Sequence, residues 1–251
     1  MTRVSFSNGV LDISLPTEWS GLTQEELAQV YGLMGHHCIS AIPFLVFYML
    51  SRCRVIREVK EDFLCSFTTD SGIEVKCLVS PMELVELLEP LSFLMSPGLH
   101  SVRLDYLRGC RAVDALLHGV GFGVYLSIEN LYQGFISSGS DEALTAMAGK
   151  LYPGLDGTAL STAEKINVLN WIVQLKATLA DSFPNFFRPA GQTDSGQTAS
   201  PLEAMNNEIR ILTGGDITKE NEILNSDCWR ALTELDFKAK EAAALKKFKG
   251  K

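Results

Sequence analysis

The segment 212–224, LTGGDITKENEIL, places two adjacent glycines before Asp216, Thr218 and Lys219, the residue types that hold phosphate or metal ions in nucleotide-binding loops. A P-loop, however, requires the longer frame G-x-x-x-x-G-K-[ST] after a strand, and a dinucleotide-binding loop requires G-x-G-x-x-G in the same context. The residues before Gly214 have the apolar spacing of a helix, so this glycine is predicted at a helix C-cap. We therefore interpret the segment as a turn between two helices.

Histidine and cysteine are the next candidates, as metal ligands. His36, His37 and Cys38 are consecutive, and neighbouring residues on a helix point about 100° apart, so they do not converge easily on one ion. A helix-end or partly buried surface triplet is the favoured interpretation. Six cysteines, at positions 38, 53, 65, 77, 110 and 228, form no C-x-x-C or Cys/His ligand spacing. We expect reduced, buried thiols in a cytosolic protein and predict no metal or other cofactor.

The sequence lacks the patterns that usually carry catalysis. It contains no G-x-S-x-G, H-E-x-x-H or D-x-D arrangement, and its four histidines give no convergent set. The glycines of Gly119–Gly123 form G-x-G-x-G without the third glycine spacing of a nucleotide loop, and they lead into an aromatic segment. We expect a flexible or tightly packed helix start there, and we predict that the protein is not an enzyme.

Composition and charge limit the classes of partner. The chain has 251 residues, 46% of them hydrophobic, with a net charge of -8 and a pI near 5.1, which argues against a general nucleic-acid binder. The most apolar run, Ile39–Leu50, is too short to span a bilayer, so a soluble, unsecreted protein without a membrane partner is expected. The end of the chain, Lys238–Lys251, carries six lysines and one acidic residue. A solvated helix end is favoured there, and contact with an acidic partner is the alternative.

Local signals predict the helices and strands that carry these residues. Thr23 and Glu26 form a capping box, and Ser80 and Glu83 form another that precedes a run of spaced leucines. Helices are predicted at residues 24–35, 43–54, 81–95, 121–137, 141–151 and 162–181, with further helices after residue 200. Strands are predicted at residues 4–6, 10–15 and 101–107, in addition to a hairpin at residues 63–79.

The hairpin at residues 63–79, FLCSFTTDSGIEVKCLV, is the strongest β signal. With Gly72 in the left-handed position of a three-residue loop, Cys65 faces Cys77 across the pair. The odd-numbered residues then form one apolar face, while the even-numbered residues point the other way. Core packing is the favoured role of the two thiols, and a redox role is the alternative.

These elements predict an α+β fold that is mostly α-helical, with a small antiparallel β-hairpin sheet in the N-terminal half and a C-terminal helical module. Residues 1–189 are expected to form the body. Residues 190–199, AGQTDSGQTA, have no large apolar residue and are predicted to be a flexible linker. Residues 200–251 are predicted to be an appended helical module.

Four parts of the chain resemble a group of bacteriophage and prophage tail-module assembly proteins of the Bacteroidetes type. They are LPTEWSGLTQEEL at 15–27, ENLYQGF at 129–135, AMAGKLYP at 146–153, and LTGGDITKENEIL with CWRALTEL at 212–235. The resemblance implies a non-enzymatic, chaperone-like protein that binds a phage tail protein such as the tape measure or tail tube protein. It implies a location in the host cytoplasm or in the virion, and it carries over no active-site residues. The alternatives are a virion structural subunit of connector or neck type and an enzyme without a recognisable motif.

The aromatic segment that ends the body is the candidate surface for a protein partner. Three phenylalanines, Phe183, Phe186 and Phe187, lie within five residues, with Pro184 after the first and Pro189 shortly after the last, so a regular helix cannot easily turn all three rings inward. Aromatic residues and arginine are favoured interface anchors. The predicted partner-binding residues are Phe186, Phe187, Arg188, Trp229 and Arg230. The alternative is that these rings close the protein's own core, and oligomer formation stays open.

Overall fold

A computed structural model of the chain describes residues 3–7, 12–68, 72–96, 102–187 and 201–249. The strands are β1 Arg3–Ser7, β2 Asp12–Pro16, β3 Cys53–Val59, β4 Asp62–Thr68, β5 Glu74–Val79, β6 Tyr106–Leu107 and β7 Cys110–Arg111. The α-helices are α1 Gln24–His36, α2 Ile42–Ser51, α3 Pro81–Leu88, α4 Phe122–Ser138, α5 Asp141–Leu151, α6 Thr162–Ser182, α7 Pro201–Thr213, α8 Glu220–Asn225 and α9 Cys228–Lys249. The predicted α+β, mostly α-helical fold is confirmed.

The first elements follow the local signals closely. β1 and β2 pair antiparallel with Val4 opposite Leu15, as the predicted N-terminal hairpin requires, while its turn lies outside the described residues. The Thr23 side chain accepts a hydrogen bond from the Glu26 backbone, and the Glu26 side chain accepts one from the Thr23 backbone. This capping box satisfies two N–H groups at the start of α1, which therefore begins where the sequence predicts.

The prediction of a helix over residues 43–54 is wrong at its C-terminal end. α2 ends at Ser51, and Arg52 adopts a left-handed conformation with φ of 50°. The chain then enters β3, a strand that the sequence analysis missed. Helix α2 is apolar on all sides, so periodicity did not reveal where it stops. The unusual φ of Arg52 turns the chain into the sheet instead.

The predicted register of the central hairpin is confirmed. β4 and β5 pair antiparallel with Cys65 opposite Cys77 and Phe67 opposite Val75, and Gly72 has a φ of 79°. The loop residues 69–71 lie outside the described ranges. β3 adds to the other side of β4 and completes a three-stranded antiparallel sheet in the order β3-β4-β5.

Two further predictions need correction. The helix predicted over 81–95 is α-helical only to Leu88 and continues as a 3-10 helix, Glu89–Met95, because Pro90 has no N–H to extend the α-helical ladder. The strand predicted over 101–107 is only the two-residue β6, which forms a small hairpin with β7. The predicted helices 121–137, 141–151 and 162–181 correspond closely to α4, α5 and α6.

The first of two compact units comprises residues up to 104 together with residues 162–170. Its core lies between the three-stranded sheet, α1, α2 and the 3-10 helix Glu89–Met95. Trp19 is central, because its ring stacks on Tyr31 at 5.9 Å and meets Phe93 edge-on at 5.6 Å. The Tyr31 hydroxyl also accepts a hydrogen bond from Asn170 at 3.0 Å.

The second unit comprises residues 105–161 and the chain from residue 171 onwards. Trp171 lies at its centre, donating a hydrogen bond from Nε1 to the Ala115 carbonyl at 2.8 Å and meeting Tyr152 edge-on at 5.7 Å. The helices α7, α8 and α9 belong to this unit, with Leu232 and Leu235 buried in it. The linker predicted at 190–199 lies outside the described residues, so its flexibility stays a prediction. Among the described residues, no helix combines the length and apolar character needed to cross a membrane.

Candidate partner-binding surface

Within the second unit, hydrogen bonds connect the loop before α4 with the start of α9. The Asp227 carboxylate accepts hydrogen bonds from the backbone N–H groups of Gly119, at 2.7 Å, and Arg230, at 3.1 Å. The backbone N–H of Cys228 donates to the Val120 carbonyl at 2.8 Å. Asp227 thus caps α9 and binds a neighbouring loop with the same side chain.

Trp229, one of the predicted partner-binding residues, is packed within this unit. Its Nε1 donates a hydrogen bond to the Leu116 carbonyl at 2.5 Å. Its ring stacks on His118 at 4.4 Å and meets Phe183 edge-on at 5.2 Å. With its polar atom satisfied and its ring in contact with two others, Trp229 serves to hold the surrounding segments together.

The segment that follows α6, residues 183–187, is held against α9 by Asp236. The Asp236 carboxylate accepts hydrogen bonds from the Asn185 backbone at 2.7 Å, the Asn185 side-chain amide at 2.9 Å and the Phe186 backbone at 3.0 Å. Burial raises the pKa of Asp236, but these hydrogen bonds outweigh it and the pKa lies below its ordinary value. The segment is therefore fixed at the point where its aromatic residues begin.

The three phenylalanines of this segment have different environments. Phe183 is buried with 6% of its surface exposed, whereas Phe186 and Phe187 are half-buried and meet edge-on at 4.7 Å. Arg230 is exposed on α9, and Arg188 lies outside the described residues. The structure therefore brings Phe186 and Phe187 together as an accessible pair.

Phe237 is a surface residue that the sequence analysis missed. It follows Asp236 directly, and 55% of its surface is exposed. It also lies seven residues after Arg230, which is two helical turns, so both residues share one face of α9. That spacing is visible in the sequence and could have identified it. We call the set Phe186, Phe187, Arg230 and Phe237 the exit surface.

A polar cluster on α4, α6 and α7 was also missed, because its members are far apart in the chain. Lys176 lies 2.5 Å from the Glu129 carboxylate and 5.0 Å from the centre of the Tyr132 ring. Gln133 donates a second hydrogen bond to Glu129 at 2.8 Å. Glu208 on α7 faces the Glu129 carboxylate. Its pKa is raised to about 7, mainly by burial and to a lesser extent by the negative charge of Glu129.

This cluster can take up a proton near neutrality. A carboxyl group whose pKa is raised towards neutrality is typical of acid–base sites. Here, however, Lys176 neutralises Glu129 and connects α4 with α6. Tyr125, buried on α4, has a pKa raised well above its ordinary value by burial and then by the charge of Glu129. We assign the cluster a structural role that depends on protonation.

The expectation that the cysteines are buried is only partly correct. Cys53, Cys65 and Cys228 are buried, and burial raises the pKa of both Cys53 and Cys228 to about 12. Cys38, by contrast, is exposed just beyond the end of α1, and a hydrogen bond with Ser40 lowers its pKa.

His36 and His37 are exposed beside Cys38, as predicted for a helix-end triplet. Within the described ranges, no group of three or more His, Cys, Asp or Glu side chains is arranged to hold a metal ion.

The two glycine-rich segments have structural roles that match their predictions. Gly214 and Gly215 follow the last residue of α7 with φ of 64° and 87°, so they turn the chain towards α8. At the start of α4, a Cβ added to Gly121 or Gly123 would lie 3.2 or 3.3 Å from the Leu224 carbonyl oxygen. The second segment is a tightly packed helix start.

Family models, curated proteins and solved structures were compared with the chain, and none of them matches it.

Proposed function

We propose that this protein is a non-enzymatic assembly factor of a bacteriophage or prophage tail module and that it acts by binding another tail protein. The four segments that resemble tail-module assembly proteins support the biological setting. The exit surface supports the mode of action, because Phe186 and Phe187 lie on a segment that Asp236 binds to α9, and α9 itself carries the exposed residues Arg230 and Phe237. Aromatic residues, including phenylalanine, and arginine are enriched in protein interfaces.

The anchoring of this surface by Asp236 is the observation that carries the proposal. Ordering side chains and loops on binding costs free energy, and a surface that is already ordered avoids much of that cost. The three hydrogen bonds to Asp236 order the backbone at Asn185 and Phe186 before any partner binds. The half-buried rings of Phe186 and Phe187 are then held with part of their surface accessible.

The charged residues beside the exit surface are mixed in sign. Glu234 pairs with Lys238 at 3.5 Å on α9, and Arg230 is exposed one turn before Glu234. A surface with an aromatic centre and a mixed polar rim fits a protein partner. The proposed partner is the tape measure or tail tube protein of the same tail module.

Co-purification of the intact chain with each of these tail proteins tests the proposal. The double variants Phe186→Ala/Phe187→Ala and Arg230→Ala/Phe237→Ala are expected to lose the complex. Met82→Ala/Val85→Ala is the matched control, because both residues are exposed apolar side chains on α3 in the other unit. Retained binding in both exit-surface variants would reject this surface as the binding site.

The protein content of purified particles distinguishes an assembly factor from a virion structural subunit. An assembly factor is expected in infected or induced cells and to be absent from purified particles. Mass spectrometry of purified particles measures this directly. A fixed number of copies per particle would favour the connector or neck alternative.

A further inference from the structure

The two edges of the three-stranded sheet in the first unit differ in how they are protected. At the β3 edge, the pairing with β4 shifts register between Val55 and Arg57, so the strand is bulged. The exposed charged residues Arg54, Arg57 and Glu58 also lie along this edge. A bulge is one of the usual means by which an edge strand avoids pairing with another chain. Exposed charges also lie on β5, at Glu74 and Lys76, so the bulge is the feature that distinguishes the β3 edge.

The β5 edge has neither a bulge nor a proline. Its six residues pair in continuous register with β4, and among the described residues β4 is the one strand paired with it. On the inner face, Val75 and Cys77 are only half-buried, although their partners Phe67 and Cys65 on β4 are buried. On the outer face, Leu78 is 53% exposed. A further strand beyond β5 would cover Val75 and Cys77 on the inner face.

We propose that β5 pairs antiparallel with β5 of a second copy of this chain, about a two-fold axis that passes through Val75. In this register, Glu74 of each copy lies opposite Lys76 of the other. Both side chains are more than half exposed on the outer face, where they lie 3.9 Å apart within one copy, and Glu74 also accepts a hydrogen bond from Ser66. A second copy would add an opposite charge directly across from each of them. The two three-stranded sheets then form one continuous six-stranded sheet.

Charge selects this register over its neighbours. Inner and outer faces match between copies only when the axis passes through a residue, because side chains alternate along a strand. An axis through Glu74 would place two glutamates opposite each other, and an axis through Lys76 would do the same with two lysines. Like charges directly opposite across a strand pair are destabilising, whereas opposite charges stabilise it. An axis through Cys77 would place each lysine opposite Leu78 and gain no charge pair.

The pairing is short, so the dimer is expected to be weak. From Gly72 to Leu78, seven residues of each copy lie opposite one another in this register. Interfaces of this small size are typical of transient association. The dimer should therefore be concentration-dependent, and it should appear in the high-micromolar range.

Charge-reversal variants test the proposal. Dimerisation of the full chain is measured by sedimentation over a concentration series. Glu74→Lys places two lysine pairs across the axis, and Lys76→Glu places two glutamate pairs there. Each single variant is expected to weaken dimerisation by about tenfold or more, because two attractive pairs become repulsive. The double variant Glu74→Lys/Lys76→Glu restores both opposite-charge pairs and should dimerise like the unmodified chain.

Mixing the two single variants is the most specific measurement. Every pair between a Glu74→Lys copy and a Lys76→Glu copy is again of opposite charge, so a heterodimer should form although neither variant dimerises alone. Glu58→Lys and Arg57→Glu make the same charge changes on β3 and are expected to leave dimerisation unchanged. Glu74→Lys is expected to lower the melting temperature somewhat, because the buried Ser66 hydroxyl loses its acceptor, whereas the changes at the exposed residues Lys76, Arg57 and Glu58 should have little effect on it. An unmodified chain that stays monomeric at high concentration, or a mixture that forms no heterodimer, would overturn the proposal.

Discussion

The carboxylate of Asp236 accepts two hydrogen bonds from Asn185, one from the backbone N–H at 2.7 Å and one from the side-chain amide at 2.9 Å. A third comes from the backbone N–H of Phe186 at 3.0 Å. One side chain on α9 thereby satisfies two backbone donors of an irregular segment about fifty residues earlier, which water would otherwise have to solvate. Asp236 therefore contributes both to the stability of the second unit and to the position of Phe186 in the proposed binding surface.

Asp236→Ala is expected to destabilise the protein by about 1–3 kcal/mol, because hydrogen bonds to a charged group are lost at a partly buried site. Chemical denaturation measures this change. Glu241→Ala, an exposed acidic residue later on the same helix, is the control and should have little effect. If the two variants were equally stable, Asp236 would not be the anchor of this segment.

The phenylalanines after α6 should separate in their effects on stability. Phe183→Ala is expected to cost about 3 kcal/mol or more, because its ring is buried against Trp229. Phe186→Ala and Phe187→Ala should each cost clearly less, since part of each ring is already exposed. Thermal melts of the three variants rank their losses of stability. A loss at Phe186 or Phe187 as large as that at Phe183 would assign those rings to the core.

Glu208 should make the stability of the second unit depend on pH. Its pKa is raised from 4.5 to about 7 in the folded protein, so its stabilising contribution is fully present below pH 4.5 and is lost as the pH rises through 7. The difference corresponds to about 3 kcal/mol at most. The groups that face it are Glu129, Lys176 and Tyr125.

Glu208→Gln should remove this dependence, because glutamine is neutral at every pH. Denaturation at a series of pH values between 4.5 and 8 compares the variant with the unmodified chain. Glu222→Gln on α8, where the side chain is exposed, is the matched control and should keep the dependence. A pH profile that is unchanged in Glu208→Gln would assign the effect to another group.

Cys38 should react first with a thiol-specific reagent under native conditions. Its side chain is exposed, and the hydrogen bond with Ser40 lowers its pKa, so more thiolate is present than at the buried cysteines. Cys53 and Cys228, with pKa values of about 12, should react only on unfolding. Cys38→Ser should abolish the fast phase of labelling. Persistence of that phase would point to another accessible thiol.

Limited proteolysis should cut first within residues 190–199, because this segment has no large apolar residue to anchor it. The two fragments are nevertheless expected to stay together, since α7, α8 and α9 belong to the same compact unit as residues 105–161. Size-exclusion chromatography of the nicked protein, with mass spectrometry of the peak, measures both outcomes. Separation of the fragments would support the independent tail module that the sequence predicts.

The sequence by itself determined the elements whose signals are local. The capping boxes at Thr23 and Ser80 begin helices where predicted, because their side chains bond backbone groups only three residues away. Alternating apolar residues and Gly72 determined the register that places Cys65 opposite Cys77, since a slip by one residue would turn the apolar face outward. These interactions involve near neighbours and can be identified without the fold.

Tertiary structure decided the features that depend on distant residues. β3 exists because its backbone pairs with β4, whereas the sequence alone suggested that the preceding helix continued through it. The sequence proposed Trp229 as a partner anchor, and only the structure showed that it is half-buried and bonded to Leu116, over a hundred residues away. The Glu129–Lys176 pair likewise has no local signal. Burial, long-range hydrogen bonds and pKa values depend on which helices pack together, and packing is a property of the whole chain.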